Sequence, residues 1–114
     1  MIKGKVVLVP FPFDDLSVAK VRPAVCLTNP VGPHRHVILA FITSRIPEDL
    51  VGTDIVLDTS QPDFTTTGLR VPSTLRLHRL MTVSTSLILR ELGELSPDRQ
   101  TQVADKLRML FELS

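Results

Sequence analysis

A mainly β domain, a small barrel with an α-helix at its C-terminal end, is the fold this sequence predicts. Three observations carry that expectation. Short apolar, β-branched runs recur at roughly even spacing, over residues 6–11, 23–28, 37–43, 54–58, 74–80 and 89–95. Stretches rich in Gly, Pro, Asn and Ser separate them, as tight turns require. Beyond Ser96 the apolar residues fall at helical spacing.

The first run is apolar until Pro10, Pro12 and the Asp14-Asp15 pair, which should break the ladder and turn the strand into a loop. Residues 14–21 then read as an exposed connection. The second strand is entered through Arg22-Pro23 and closed by Asn29-Pro30-Val31-Gly32-Pro33. The third is the most apolar and should be central, and it leaves through Thr43-Ser44. A short fourth strand lies between Gly52 and the Thr59-Ser60-Gln61-Pro62 loop. In the fifth, Leu75 and Leu77 alternate with Arg76 and His78, so one face goes to the core and Arg76, His78 and Leu80 share the other. Ser84 or Thr85 can cap a short turn before a last strand. Ser96-Pro97-Asp98 is a helix start, with Ser as N-cap, Pro at the first helical position and Asp at the positive end of the dipole. Val103, Leu107, Leu110 and Phe111 would form its apolar stripe.

At 114 residues the chain suits a single domain over 1–114, too short for two cores. A domain this small buries a modest share of its surface, so a homodimer is a natural supplement. The composition, 43% hydrophobic and 22% charged, is that of a folded globular protein and argues against disorder. With no Trp or Tyr and only five Phe, the chain has few platforms on which bases could stack. Cys26, the one cysteine, reads as a small core residue; it suits a reducing compartment, and the cytoplasm is the expected location. No run approaches the ~20 apolar residues of a membrane helix, and the N-terminus leads into a strand pattern, not a signal segment.

The net charge of +1 hides an uneven distribution. Residues 16–47 and 64–90 contain no Asp or Glu, yet hold Lys20, Arg22, Arg35, Arg45, Arg70, Arg76, Arg79, Arg90 and all three histidines. If those stretches meet in space they make a positive field able to collect phosphates; apart, they are ordinary solvated strand faces.

Other site types find little support. The five glycines do not form a phosphate loop. No metal or cofactor is expected: the one suggestive spacing, His34-x-His36, lies in a turn without cysteine partners. A Cys26–His pair stays open as a nucleophile, against the simpler reading of Cys26 as packing.

Gly4–Pro10, Arg22-Pro23, Ile42-Thr43-Ser44, Gly68-Leu69 with Ser73-Thr74-Leu75-Arg76, and Leu89-Arg90-Glu91-Leu92-Gly93-Glu94-Leu95-Ser96 stand in one order along the chain. In that order and spacing they resemble the MazF/PemK family of toxin endoribonucleases over nearly the whole length. The resemblance implies an SH3-like, PemK/CcdB-type barrel with a C-terminal helix, acting as the toxin of a type II toxin–antitoxin pair. It further implies metal-independent, sequence-specific cleavage of single-stranded RNA, leaving a 2′,3′-cyclic phosphate and a 5′-hydroxyl. The implied partners are RNA, a second copy of the chain, and an antitoxin whose acidic, partly disordered tail covers the basic groove. In the family the Arg and Thr matched by Arg22 and Thr43 are implicated in catalysis. Two positions depart from the pattern: Lys5 stands where an acid is common, and His78 where members carry Asp or Glu, the Asp being assigned as base.

The chemistry fits those residue types. RNA brings its own nucleophile, so the protein needs a base for the 2′-hydroxyl proton, a cation over the phosphorane and a donor for the leaving oxygen. A guanidinium is planar and bidentate toward phosphate, and an imidazole titrates in the physiological range. Arg22, Thr43, Arg76 and His78 are the candidate catalytic residues, with Lys20, Ser44, Arg45, Arg70 and Arg79 as RNA contacts. Each also has a plain structural role open to it: Thr43 is a good β-former, and His78 an ordinary strand-face residue. Two functional alternatives stand beside the nuclease: a CcdB-like toxin that binds gyrase with the same barrel, and a non-catalytic RNA-binding member.

Overall fold

A computed structural model of the protein describes residues 1–11 and 20–113. Asp14, Asp15 and most of the connection expected over 14–21 lie outside the described residues. In chain order the elements are β1 (Lys5–Phe11), β2 (Lys20–Cys26), β3 (His36–Thr43), β4 (Asp54–Leu57), β5 (Ser73–Ser84), β6 (Arg90–Glu94) and α1 (Pro97–Leu110). Single 3-10 turns at Thr65–Thr67 and Thr85–Leu87 flank β5, and Ser84 caps the second by accepting from the Ser86 amide. The strands form one antiparallel sheet in the order β4-β5-β3-β2-β1-β6, which makes β3 central as its composition demands.

Apolar side chains cover both faces of this sheet. On one, Val6, Val25, Ala40, Ile42, Ile55, Leu57, Leu75 and Leu77 pack with Phe64, Leu95 and Val103 of α1. On the other, Val7, Val9, Phe11, Ala24, Cys26, Val37, Leu39, Phe41 and Val83 form a second cluster. Strand alternation sorts the two sets, and β3 feeds both.

Three expectations need correction. β1 runs through Pro10 to Phe11, the end expected of it, whereas β2 begins at Lys20, before Pro23. Pairing of β1 with β6 stops at Leu8, and pairing of β2 with β3 starts at Ala24. Each proline therefore sits where its strand has one ladder partner and a missing N–H is tolerated. β5 is longer than the alternation suggests and its register on β3 slips: Arg76 lies opposite Phe41 but Leu80 opposite Ala40. The slip at residues 77–79 moves Leu80 to the opposite face from Arg76. Finally, Phe111 caps the helix and stays exposed, leaving Val103 and Leu107 to pack on the core.

Two glycines bring β6 against the turn that follows β4. A Cβ at Gly68, whose φ is +74°, would overlap the Leu92 carbonyl, and one at Gly93 would overlap the Thr66 carbonyl. Lys5, on the neighbouring strand, meets Glu91 at 3.3 Å and Glu94 at 3.8 Å, so the basic residue at this position has acids to pair with across the ladder.

The helix is anchored at its start. Ser96 Oγ accepts from the Arg99 amide at 3.2 Å and donates to Asp63 Oδ2 at 2.7 Å, and Arg99 Nε approaches the same oxygen at 3.3 Å. The Ser96 hydrogen bond and the Arg99 charge hold the Asp63 carboxyl below its usual pKa. A carboxyl depressed in the folded state stabilises above its unfolded pKa, about 3.9, and loses that contribution as pH falls through the folded value. Asp63→Ala should therefore unfold at lower urea than the parent at pH 7, with the difference shrinking below about pH 4. A difference that stays constant from pH 7 to pH 2 would show that Asp63 acts by shape and not by charge.

Candidate active site

A cleft of about 430 Å³ opens on the face of the second cluster, lined by Phe11, Arg22, Phe41, Ile42, Thr43, Ser44, Arg45, Arg76 and Arg79. Its position follows from the ladder. β2 and β3 pair from Cys26–Leu39 to Ala24–Phe41 and no further, and Pro23 has no N–H to extend the pairing. Carried two residues on, the same register would set Arg22 across from Thr43, at the point where the strands part. β5 supplies the adjoining row, with Thr74 opposite Thr43 and Arg76 opposite Phe41. The Phe11 and Phe41 rings meet edge to face, centroids 4.2 Å apart, and form an apolar floor.

The two acid-free stretches do meet here: Arg22 and Arg45 come from one, Arg76 and Arg79 from the other. Their guanidinium groups are not equivalent. Arg76 is 15% exposed and bound side-on to Asp54, with Nε donating to Oδ1 at 3.2 Å and Nη2 to Oδ2 at 3.0 Å. The Asp54 hydrogen bonds push the Arg76 pKa up further, against the opposing effect of burial. Arg22 is half-buried, and among the described residues it has no hydrogen-bond or ion-pair partner. Arg45 and Arg79 are exposed, without a carboxylate partner among the described residues. Among the described residues, the cleft thus presents three cations without a carboxylate partner and one whose charge is already balanced.

The structure gathers Arg22, Thr43, Ser44, Arg45, Arg76 and Arg79 around the cleft and leaves three expected residues outside its lining. Lys20 is exposed at the start of β2, and Arg70 is exposed in the loop before β5. His78 shares Asp54 with Arg76, its Nδ1 lying 3.9 Å from Oδ1, and 40% of its side chain is exposed. Two supporting residues escaped the sequence reading. Asp54 is one: an acid at a strand start looks like a solvated turn residue until the register sets it opposite Arg76. Thr74 is the other, fully buried, with its hydroxyl donating to the Arg45 carbonyl at 2.9 Å and so holding the turn that follows Thr43. In the sequence Thr74 stands only as the first residue of the expected fifth strand.

Comparison with known proteins places the whole chain. The family described as PemK-like, MazF-like toxin of type II toxin–antitoxin systems matches residues 2–111. The chain belongs to that toxin family. A search of curated proteins returned no match. Among solved structures, the Mycobacterium tuberculosis toxin MazF-mt6 superposes with a TM-score of 0.73 at 20% identity, covering 96% of this chain and 98% of that one. A MazE–MazF structure from Deinococcus radiodurans gives 0.72 at 20% identity, covering 100% and 97%. An endoribonuclease in complex with its cognate antitoxin, from a mycobacterial species, gives 0.71 at 14% identity, covering 100% and 97%. At such identities the superpositions establish the barrel with its C-terminal helix. Among the described residues of this toxin, no three His, Cys, Asp or Glu side chains gather as a metal site would need, and no helix is long and apolar enough to cross a membrane.

Cys26 lies in the second cluster, 1% exposed, and burial, with Glu91 adding to it, pushes its thiol up to about 11. A thiol so protonated is a poor nucleophile at neutral pH. Iodoacetamide at pH 7.5 should leave the folded toxin unlabelled and label Cys26 once urea unfolds it. Labelling of the folded protein at the rate of a free thiol would reopen the cysteine as a nucleophile.

Proposed function

We propose that this toxin is an endoribonuclease that cleaves single-stranded RNA by attack of the 2′-hydroxyl on the adjacent phosphorus. The observation that carries the proposal is Arg22, which lines the cleft together with Thr43 and has no ion-pair partner among the described residues. In this reaction the 2′-oxygen bonds to phosphorus, the bond to the 5′-oxygen breaks, and the 2′-proton passes to a base while the leaving oxygen gains one. The products are a 2′,3′-cyclic phosphate and a 5′-hydroxyl. Arg22 supplies positive charge where the phosphorane develops negative charge, and the Thr43 hydroxyl orients the phosphate or the 2′-oxygen. Ser44, Arg45 and Arg79 hold flanking phosphates, with Lys20 and Arg70 as more distant contacts. His78, whose side chain is 40% exposed, is the base that takes the 2′-proton. The internal nucleophile makes a metal unnecessary.

The solved relative described as an endoribonuclease with its antitoxin supports this reading. It also supports a partner of the same kind here, an antitoxin whose acidic segment lies over the arginines of the cleft. We place the enzyme in the cytoplasm, as a homodimer. The cations line a strand-built cleft and not the C-terminal helix, which favours the nuclease over a gyrase-binding toxin.

The deciding experiment is incubation of the purified toxin with a mixed-sequence RNA in EDTA. Cleavage should proceed, and a 2′-deoxyribose at the scissile position should stop it. Activity that disappears with EDTA and returns with Mg²⁺, or a deoxy substrate that is cut, would refute the mechanism. Arg22→Ala should fold normally and lose about 10²–10³ in rate, the effect of removing one oxyanion donor. Thr43→Val, which keeps the branched shape, should lose less. A folded Arg22→Ala variant with parental activity would make the arginine structural.

His78→Ala should remove most of the rate, and His78→Asp should recover part of it. Retention of the parental rate by His78→Ala would move the base to Asp14 or Asp15.

A further inference from the structure

We propose that Asp54 is a positioning residue of the cleft, acting through Arg76 by fixing its guanidinium so that the Nη1 edge alone remains to meet a phosphate. The assignment rests on the nuclease reading above. Asp54 opens β4 directly opposite Arg76, and its side chain is 1% exposed. Its two oxygens take the Nε and Nη2 hydrogens of Arg76, and Oδ2 also accepts from the Val51 amide at 2.9 Å. The Asp49 carbonyl lies 3.5 Å from Nη2 on its remaining side. A guanidinium carries five N–H groups. Three of them are thereby directed at protein acceptors. The two on Nη1 have no hydrogen-bond acceptor among the described residues, the nearest carboxylate oxygen being Asp49 Oδ1 at 4.0 Å.

Two consequences follow. Arg76 cannot swing to follow a bound phosphate, so the rotamer freedom a lone arginine would lose on binding is already lost in the free protein. Its charge is also balanced by a buried carboxylate, so it contributes directed donors while Arg22, Arg45 and Arg79 contribute the field. Neutralising Asp54 should therefore act in opposite senses on the two kinetic constants. The cleft becomes more positive and holds RNA at least as well, while the released guanidinium leaves the geometry that the transition state needs.

The test is a double-mutant cycle on RNA cleavage, using Asp54→Asn, Arg76→Gln and both together. Asp54→Asn should lower kcat by about 10- to 100-fold, the range that a misplacement near 1 Å produces, with KM unchanged or lower. With Arg76→Gln already in place, adding Asp54→Asn should leave kcat unchanged. A spectroscopic arm reads the geometry without activity. The Arg76 Nε–H resonance should exchange slowly with water in the parent and rapidly in Asp54→Asn. Should Asp54→Asn fail to fold with an unpaired guanidinium inside, the doubly substituted chain, which buries no such charge, carries the comparison with Arg76→Gln.

A folded Asp54→Asn variant with parental kcat overturns the assignment. So does a doubly substituted chain slower than Arg76→Gln, because Asp54 would then act by a route other than Arg76. An unmodified toxin that leaves RNA intact overturns the nuclease reading and this assignment together, whereas an active toxin indifferent to Asp54→Asn overturns the assignment alone.

Discussion

The cleft exists because Pro23 has no N–H. Antiparallel strands zip until a donor or acceptor is missing, and β2 and β3 pair over three positions only, ending beside that proline. β1 and β2 go on pairing past this point, as far as Phe11 and Lys20. From there β1 and β2 pair only with each other, and Arg22 and Phe11 of that two-stranded ribbon line the cleft. Thr43 is held against Thr74 of β5. The opening between ribbon and sheet is where a guanidinium from one side faces a hydroxyl from the other. A longer β2–β3 ladder would bury Arg22 against its neighbour and close the space.

β5 solves a second geometric problem. It must contribute Leu75 and Leu77 to one apolar cluster and Val83 to the other, although all three have the same parity along the chain. The register slip at residues 77–79 exchanges the faces, and Leu77 and Val83 can then point to opposite sides. The residues in the slip have no ladder partner on β3, which lets Arg79 reach the cleft from a position that plain alternation would place elsewhere. Bulges that re-aim a side chain recur beside active sites for this reason.

What could be read from the sequence followed from period and punctuation. The strands, the helix start at Ser96-Pro97 and the basic gathering of two acid-free stretches all rest on residue type and spacing, and each is where expected. The misplaced features depend on partners far away in the chain. Pro23 looks like the start of its strand because a single sequence does not show which ladder sides are free. Alternation groups Leu80 with Arg76 and His78 because it cannot reveal a slip that is defined only against β3. Asp54 was invisible as a site residue because its role is set by register on β5, and an isolated acid next to Ile55 carries no mark of a buried ion pair.

That ion pair also bears on the one position where the chain departs most from the pattern it resembles. Members carry an acid at the place of His78, two residues from the arginine matched by Arg76. Here an imidazole stands there, yet Arg76 still has a carboxylate beside it, supplied across the ladder by Asp54. Moving the negative charge from β5 to β4 changes its surroundings. Asp54 is buried and multiply hydrogen-bonded, which suits holding a cation in place, whereas His78 remains 40% exposed and can exchange protons with solvent or substrate. On the proposed mechanism, balancing an arginine and moving a proton fall to two side chains, and each sits in an environment that suits its task.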